Sequence, residues 1–384
     1  MAAANPATRS PLTIVVHLTV LLLVALWTLP TAGLFISSLR DKDQLAVSGW
    51  WTALSSSSQS LQGRLAGASA QVREGDIYVV TGNVMEGITG EVSAFGTTTR
   101  DPAAFAAGAT AELNNGATLT IAADGAYRLE SPTPLDSERG QRVFFTAEQP
   151  PRFTLDNYRE VLRSEGIGQS FINSLTVAIP STIIPILVAA FAAYALAWME
   201  FPGRGLLIAA VVGLLVVPLQ MSLIPLLKIY NGVAEVFGVP AKTYVGIWLA
   251  HTGFGLPLAI YLLRNYMAGL PREIIESARV DGASDFEIFL KIILPLSFPA
   301  LASFAIFQFL WVWNDLLIAL VFLGAQDDSL VLTGRLVNLL GSRGGNWEIL
   351  TASAFITIVI PLIVFFTLQR YLVRGLLAGS VKGG

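Results

Sequence analysis

Six stretches of this chain run for 21 residues or more without one Asp, Glu, Lys or Arg: 10–39, 166–199, 205–227, 243–263, 292–314 and 349–369. A helix needs about 20 apolar residues to cross a hydrocarbon layer of about 30 Å. Backbone polar groups find no water there, so a continuous apolar run at that depth must satisfy its own hydrogen bonds as a helix. Six spans are therefore expected. The first run exceeds the roughly 7–15 apolar residues of a cleaved signal and lacks a small-x-small cleavage site, so it reads as a span. Pro30, Pro180, Pro185, Pro218, Pro225, Pro257 and Pro361 fall inside these runs; membrane helices tolerate such prolines as kinks.

Charge confirms the division. Only 13% of the 384 residues are charged, against about 25% in soluble domains. Residues 40–165 hold 27 of the 51 charges, and the other 258 positions share 24. A net charge of −3 gives no basic footprint for nucleic acid. With no cysteine and two histidines, neither a metal site, a thiol nucleophile nor a cofactor site is expected on this chain. In the short loops, Arg9, Arg204, Arg264, Arg272, Arg279, Lys291, Arg370, Arg374 and Lys382 fall on one side, and Lys228, Lys242, Arg335 and Arg343 on the other. The positive-inside bias then places both termini in the cytoplasm and the long 40–165 segment outside.

Within that segment, Ser55–Ser58 and Gly63–Gly67 read as a flexible lead-in. Strand signals follow at Ile77–Val80, Glu91–Phe95, Ala117–Ile121, Tyr127–Leu129 and Val143–Thr146, with turns at Asn114-Asn115-Gly116 and Asp124-Gly125. A small β-rich domain over about 60–148 is expected, with no catalytic constellation. Asp76, Glu86 and Glu91 read as solvated charges. Thr154 is expected to cap a short helix, with Asn157 standing where a capping-box acid would be.

The loop 265–295 between the fourth and fifth spans has a different texture. Pro271 suits a helix start, Ile274, Ile275 and Ala278 lie on one helical face, and Arg272, Glu273, Glu276 and Arg279 occupy the rest. Gly282 supplies a break, and Asp285–Lys291 begins a second amphipathic stretch. Two apolar faces around a glycine suit seating in a groove of a partner protein. In the fifth span, Gln308, Trp311, Trp313, Asn314 and Asp315 form a polar-aromatic run suited to sugar rings, and Asp315 is read as the only acid within a span. His17 and His251 read as helix-packing hydrogen bonders.

The 265–295 loop resembles the cytoplasmic EAA loop of ABC importer permeases: Glu276-Ser277-Ala278, then Gly282, nine residues, and Ile292-Ile293-Leu294-Pro295. Ser277 replaces the middle alanine of that pattern with another small residue. Phe153–Leu162, Trp313-Asn314-Asp315 and the tail from Gln369-Arg370-Tyr371 to Gly379-Ser380-Val381-Lys382-Gly383 resemble the carbohydrate branch. Ser38–Gln44 leading into Gly49-Trp50-Trp51 looks like the arrangement in α-glucoside permeases.

The resemblance implies an all-α polytopic membrane protein of the type I importer permease fold, with six transmembrane helices and a β-rich extracytoplasmic domain inserted after the first. The expected divisions are a cytoplasmic 1–11, a first span 12–38, an insertion 39–164, and a five-helix core 165–384 with a cytoplasmic tail 370–384. It implies a permease subunit, not an enzyme, in a bacterial inner membrane, forming half of the path for an oligosaccharide of the maltose or α-glucoside kind. An ion-gradient-driven secondary sugar transporter is the alternative. The implied partners are a second permease subunit, an ATPase dimer that holds ATP and Mg, an extracytoplasmic sugar-binding protein and the lipid bilayer. Coupling to the ATPase falls on Glu276, Ser277, Ala278, Asp281, Gly282, Ile292, Leu294 and Pro295, with the tail Gly379, Ser380, Val381 and Lys382 reaching between ATPase subunits. Gln308, Trp311, Asn314 and Asp315 are the candidate substrate path.

Overall fold

The structure, a computed structural model, describes residues 11–164, 166–342 and 345–378. The chain divides into two compact units, Met1–Tyr158 with Gly345–Ala352, and Arg159–Gly344 with Ser353–Gly384.

The first unit opens with helix α1 (Pro11–Ser38), whose Gly33 lets the Trp50 ring lie against it. Immediately beyond its end, Arg40 is buried and its guanidinium donates to the carbonyls of Gln44, Ser48 and Gly49 and to the Ser48 hydroxyl. Those acceptors lie in and just after α2 (Lys42–Val47). The returning chain is fastened at the same place. Gln44 Nε2 donates to the Pro150 carbonyl, Arg152 N donates to Gln44 Oε1, and Asn157 Nδ2 donates to the Ser38 and Arg40 carbonyls. Asn157 is thus a clamp rather than a capping residue. Thr154 turns onto Asp156 N at 3.0 Å, at the first residue of α3 (Asp156–Arg163).

Between the clamped ends, nine strands follow: β1 (Ser57–Arg64), β2 (Val72–Glu74), β3 (Ile77–Asn83), β4 (Glu91–Gly96), β5 (Phe105–Ala106), β6 (Thr110–Glu112), β7 (Thr118–Ile121), β8 (Ala126–Ser131) and β9 (Arg142–Gln149). They make two antiparallel sheets, β1-β9-β4-β5 and β2-β3-β8-β7-β6. Both sheets feed one core, with Val92, Phe95, Val143 and Phe145 from the first and Val80, Leu119, Ile121 and Leu129 from the second. The expected turns are present. Gly116 and Gly125 adopt positive φ, and the Asp124 carboxylate accepts from Ala126 N.

One expectation fails. The lead-in read as flexible contains β1, paired with β9 from Ser57↔Gln149 to Arg64↔Arg142. Its inward side chains include Ser57 and Gln59, which give no apolar alternation. The ladder of β9 supplies the order that the segment's own residues do not.

The second unit contains α4 (Ile167–Trp198), α5 (Arg204–Leu214), α6 (Leu219–Phe237), α7 (Tyr244–Ala268), α8 (Arg272–Val280), α9 (Asp285–Ile288), α10 (Leu294–Leu296), α11 (Phe298–Asn314), α12 (Leu316–Phe322) and α13 (Leu332–Ser342). Helix α14 (Trp347–Ala378) closes the described chain. Among the described residues, four helices are long and apolar enough to cross a membrane singly: α1, α4, α7 and most of α14. Two more spans arise if each bent pair counts as one. Helices α5 and α6 meet at 105°, where Pro218 caps α6, and the Asp285–Leu296 segment meets α11 at 68°.

Helix α4 lies against α7, pinned by Trp248 Nε1 to the Thr176 carbonyl at 2.8 Å and by Trp198 Nε1 to the Met267 carbonyl at 3.1 Å. Ala189, Ala190 and Ala193 on α4 and Ala259 on α7 permit the close approach.

Candidate functional site

Two places in the second unit concern function: the 265–295 loop and a buried polar cluster between α4, α7 and α11.

In the loop, Pro271 takes the N-cap position of α8, one residue before the first turn. The C-terminus closes with Gly282 N donating to the Arg279 carbonyl and Ala283 N to the Ala278 carbonyl, while Gly282 holds φ +84°. This is a Schellman closure, which needs a left-handed residue just past the helix. Ser284 then starts α9 through a capping box. Glu287 N donates to Ser284 Oγ at 3.3 Å, and Ser284 N to Glu287 Oε2 at 3.1 Å. The Ser284 N–H, its hydroxyl and the Lys291 ammonium hold the Glu287 carboxyl down at about 2.

Beyond α9, residues Phe289–Ile293 form a π-helical turn that runs into α10 and, past Ser297, into α11. Ile275, Ile288, Phe289 and Ile293 bury into one cluster with Ala193, Tyr194 and Met267 from the C-terminal ends of α4 and α7. Asp285 ties α9 to α4 and α8, accepting from Tyr194 OH at 3.2 Å and Arg279 Nη2 at 3.1 Å. The loop is therefore built into the helix ends.

Its exposed residues are mostly charged or polar, with large apolar side chains among them. Val280 is 88% exposed and Phe286 61%. Ile274, read on one apolar face with Ile275 and Ala278, is 40% exposed, whereas Ile275 is buried. Glu276, Ser277, Asp281 and Gly282 are exposed, Ala278 is half-buried, and Ile292, Leu294 and Pro295 belong to the stem leading to α11. Large apolar side chains left exposed among charges suit contact with a partner. Sequence reading missed Val280 and Phe286, although a large apolar residue on each side of a glycine break was the available signal. The tail Gly379, Ser380, Val381 and Lys382 lies outside the described residues.

The four path candidates separate. Gln308 and Trp311 line one cavity of about 550 Å³, bordered also by residues of α5, α6 and α7. Gln308 is buried and donates to the Ser181 carbonyl at 3.1 Å. Asn314 is exposed and donates to the Leu310 carbonyl, one turn back on its own helix. Asp315 accepts from Ile318 N at 3.0 Å and so caps α12. Trp313 packs against Phe309 and donates to the Thr357 carbonyl. His251 differs from its reading as a hydrogen bonder: its ring lies edge-to-face on Trp311, and among the described residues neither ring nitrogen has a partner. His17 Nδ1 lies 2.6 Å from the Thr13 carbonyl, one turn away. Among the described residues no group of acids and histidines could hold a metal.

Residues 169–377 match the family described as binding-protein-dependent transport system inner membrane component. The chain is 76% identical over 380 residues, 99% of its own length and 100% of the relative's, to the alpha-glucoside transport system permease protein AglG of Rhizobium meliloti (strain 1021). It is 44% identical over 96% of its length and 91% of the relative's to the osmoprotective compounds uptake permease protein GgtD of Synechocystis sp.. The trehalose transport system permease protein SugB of Mycobacterium tuberculosis is 37% identical over 61% of this chain and 84% of its own length. The first two relatives thus extend over the β-sheet region, whereas the third lacks a counterpart for a large share of this chain.

Proposed function

This chain belongs to the family of binding-protein-dependent transport system inner membrane components, and from that premise we propose that it carries an α-glucoside across the membrane, driven by ATP hydrolysis in a separate subunit. The observation that carries the proposal is the 265–295 loop. It presents Val280 and Phe286 outward, and its stem continues through a π turn into α11, the helix that holds Gln308 and Trp311. A surface for a motor and a wall of the path are thus on one continuous piece of chain.

The chemistry follows from that connection. An ATPase dimer seated on the loop pulls on Glu276, Asp281 and the Gly282 break as it closes, and the buried Ile275–Phe289–Ile293 contacts transmit the displacement to the helix ends. Coupling of this kind is a free energy shared between two sites, so a loaded binding protein outside and nucleotide at the ATPase each bias the same conformational equilibrium. In this reading the chain has six spans with both termini in the cytoplasm and 39–164 outside, and a second permease subunit completes the path. The whole-length match to the AglG relative supports an α-glucoside as cargo. The tail Gly379–Lys382 reaches the ATPase pair.

Proteoliposomes test this. With the partner permease, the ATPase and the binding protein, labelled maltose enters only when ATP is supplied. Glu276→Lys lowers uptake about ten-fold while the complex still inserts in the membrane, the size expected for a lost charged contact of about 1.4 kcal/mol. Uptake by this chain alone under a proton or sodium gradient would overturn the reading.

A further inference from the structure

Buried polar atoms at membrane depth find partners or stand at functional places. His251 has 0% exposure and two unpartnered ring nitrogens, and Ser181, also at 0%, has an unpartnered hydroxyl among the described residues. Ser181 lies at the middle of α4, and His251 lies two turns into α7. The carboxamide of Gln308 is adjacent to both helices, donating to the Ser181 carbonyl and reaching so near α7 that a Cβ at Gly255 would sit 2.6 Å from its Oε1. Position 255 is one helical turn from His251, and Trp311, whose ring is 5.4 Å from the imidazole, is one turn from Gln308. Trp311 forms part of the cavity wall, with His251 behind it.

We propose that His251, Ser181 and Gln308 are a binding station for the hydroxyl groups of the transported sugar, covered by Trp311 in this conformation. The inference rests on the reading of the chain as a sugar permease and extends it to specific side chains. A neutral imidazole offers one donor and one acceptor, Ser181 offers both, and a carboxamide offers both. A vicinal diol presents the complementary set. The cavity beside the station is lined only by uncharged residues, which suits a neutral polyol and leaves an ionic cargo without a counter-charge at mid-membrane. The Trp311 face supplies the apolar surface on which a pyranose ring stacks. Because α11 continues from the loop stem, a pull on the loop moves Gln308 and Trp311 relative to Ser181 and His251, which belong to α4 and α7. The station opens in step with the motor.

The test uses the whole importer in proteoliposomes at saturating maltose-loaded binding protein, measuring maltose imported and ATP hydrolysed in the same vesicles. His251→Phe keeps an aromatic ring against Trp311 and deletes both nitrogens. The expected result is a fall of about ten-fold in sugar imported per ATP, the effect of losing one or two hydrogen bonds, with His251→Gln recovering most of it. Equal falls in both rates, or no change in either, would overturn the proposal and leave the ring a packing element. Should His251→Phe fail to assemble, Ser181→Ala decides, because it removes only a hydroxyl: a ratio unchanged from wild type refutes the station, and a fall of about three-fold or more supports it. Failure of the wild-type complex to import maltose with ATP would count instead against the transport reading.

Discussion

A buried guanidinium at a helix end is costly unless its donors are used, and Arg40, 2% exposed, donates through both Nη atoms to three carbonyls and one hydroxyl, while its Nε has no partner among the described residues. Arg40→Met removes the donors and leaves the Ser48 carbonyl without one among the described residues, while the Gln44 and Gly49 carbonyls keep Ser48 and Thr52 as donors. An orphaned carbonyl costs about 1–3 kcal/mol, so a loss of about 2 kcal/mol at the joint is expected. Limited proteolysis reads it as faster cleavage between positions 40 and 57, with Arg40→Lys intermediate because an ammonium lacks the planar fork. Glu287 makes a pH prediction. Its carboxyl, ordinarily near 4.5, is held at about 2 by Ser284 and Lys291. A depressed carboxylate stabilises above its unfolded value and loses that contribution as pH falls through the folded one. Amide exchange at 284–287 is thus expected to be constant in protection from pH 7 to 5 and to weaken below about 4.5. In Glu287→Gln, protection is lower throughout and flat with pH. Neither role was legible in the sequence. A lone arginine after a span reads as a flank charge, and its partners are set by how the Gln44–Gly49 backbone curls. The break at Gly282 was read from the sequence, but the capping box that Ser284 and Glu287 form just past it was not, because it exists only once the left-handed turn has placed Ser284 at the start of α9.

Elements formed largely where apolar pattern and glycine agreed, and the exceptions lie where neither reports the backbone. Strands β3, β4, β7, β8 and β9 carry apolar residues at inward positions and were readable, whereas β1, β2, β5 and β6 are short or polar and owe their place to neighbouring ladders. The π turn at Phe289–Ile293 was invisible, because one extra residue in a helical turn leaves no compositional trace. It sets the rotational phase between the loop and α11. Deleting Leu290, half-exposed within that turn, restores an α-helical register and rotates the docking surface by roughly 100° relative to α11. The deletion variant is expected to insert and to lose nearly all transport, read as uptake against surface amount. Gly282 gives a graded companion. A Cβ there meets nothing within 4 Å, so Gly282→Ala is penalised only by its φ of +84°. The left-handed conformation costs about 1–2 kcal/mol in a residue with a side chain. Stimulated ATP hydrolysis is therefore expected to fall several-fold, and an unchanged rate would show that the motor does not need the Schellman geometry.

For the molecule as a whole, the long charge-free runs were the legible part, because a hydrocarbon layer tests length and polarity and little else. Less legible was how continuous each run would be: two of the six are bent, by 105° at Pro218 and by 68° before α11. Proline density could not distinguish these from α4, which keeps Pro180 and Pro185 within one continuous helix. Orientation and docking remain two expectations with one decisive experiment, favoured by a chain that contains no cysteine. Thr99 is exposed in the turn after β4, and Val280 is 88% exposed on the loop. In intact spheroplasts a membrane-impermeant maleimide is expected to label Thr99→Cys and not Val280→Cys. In inside-out vesicles the order reverses, and Val280→Cys reacts freely only when the ATPase has been stripped. Re-adding the ATPase should slow that labelling at least ten-fold, since an apolar side chain at the centre of a docked interface is sealed from water by its surroundings. Labelling of Val280→Cys from outside would invert the topology. Equal labelling with and without the motor would move its seat elsewhere, because no reagent could reach a thiol beneath a seated subunit as fast as one in open solvent.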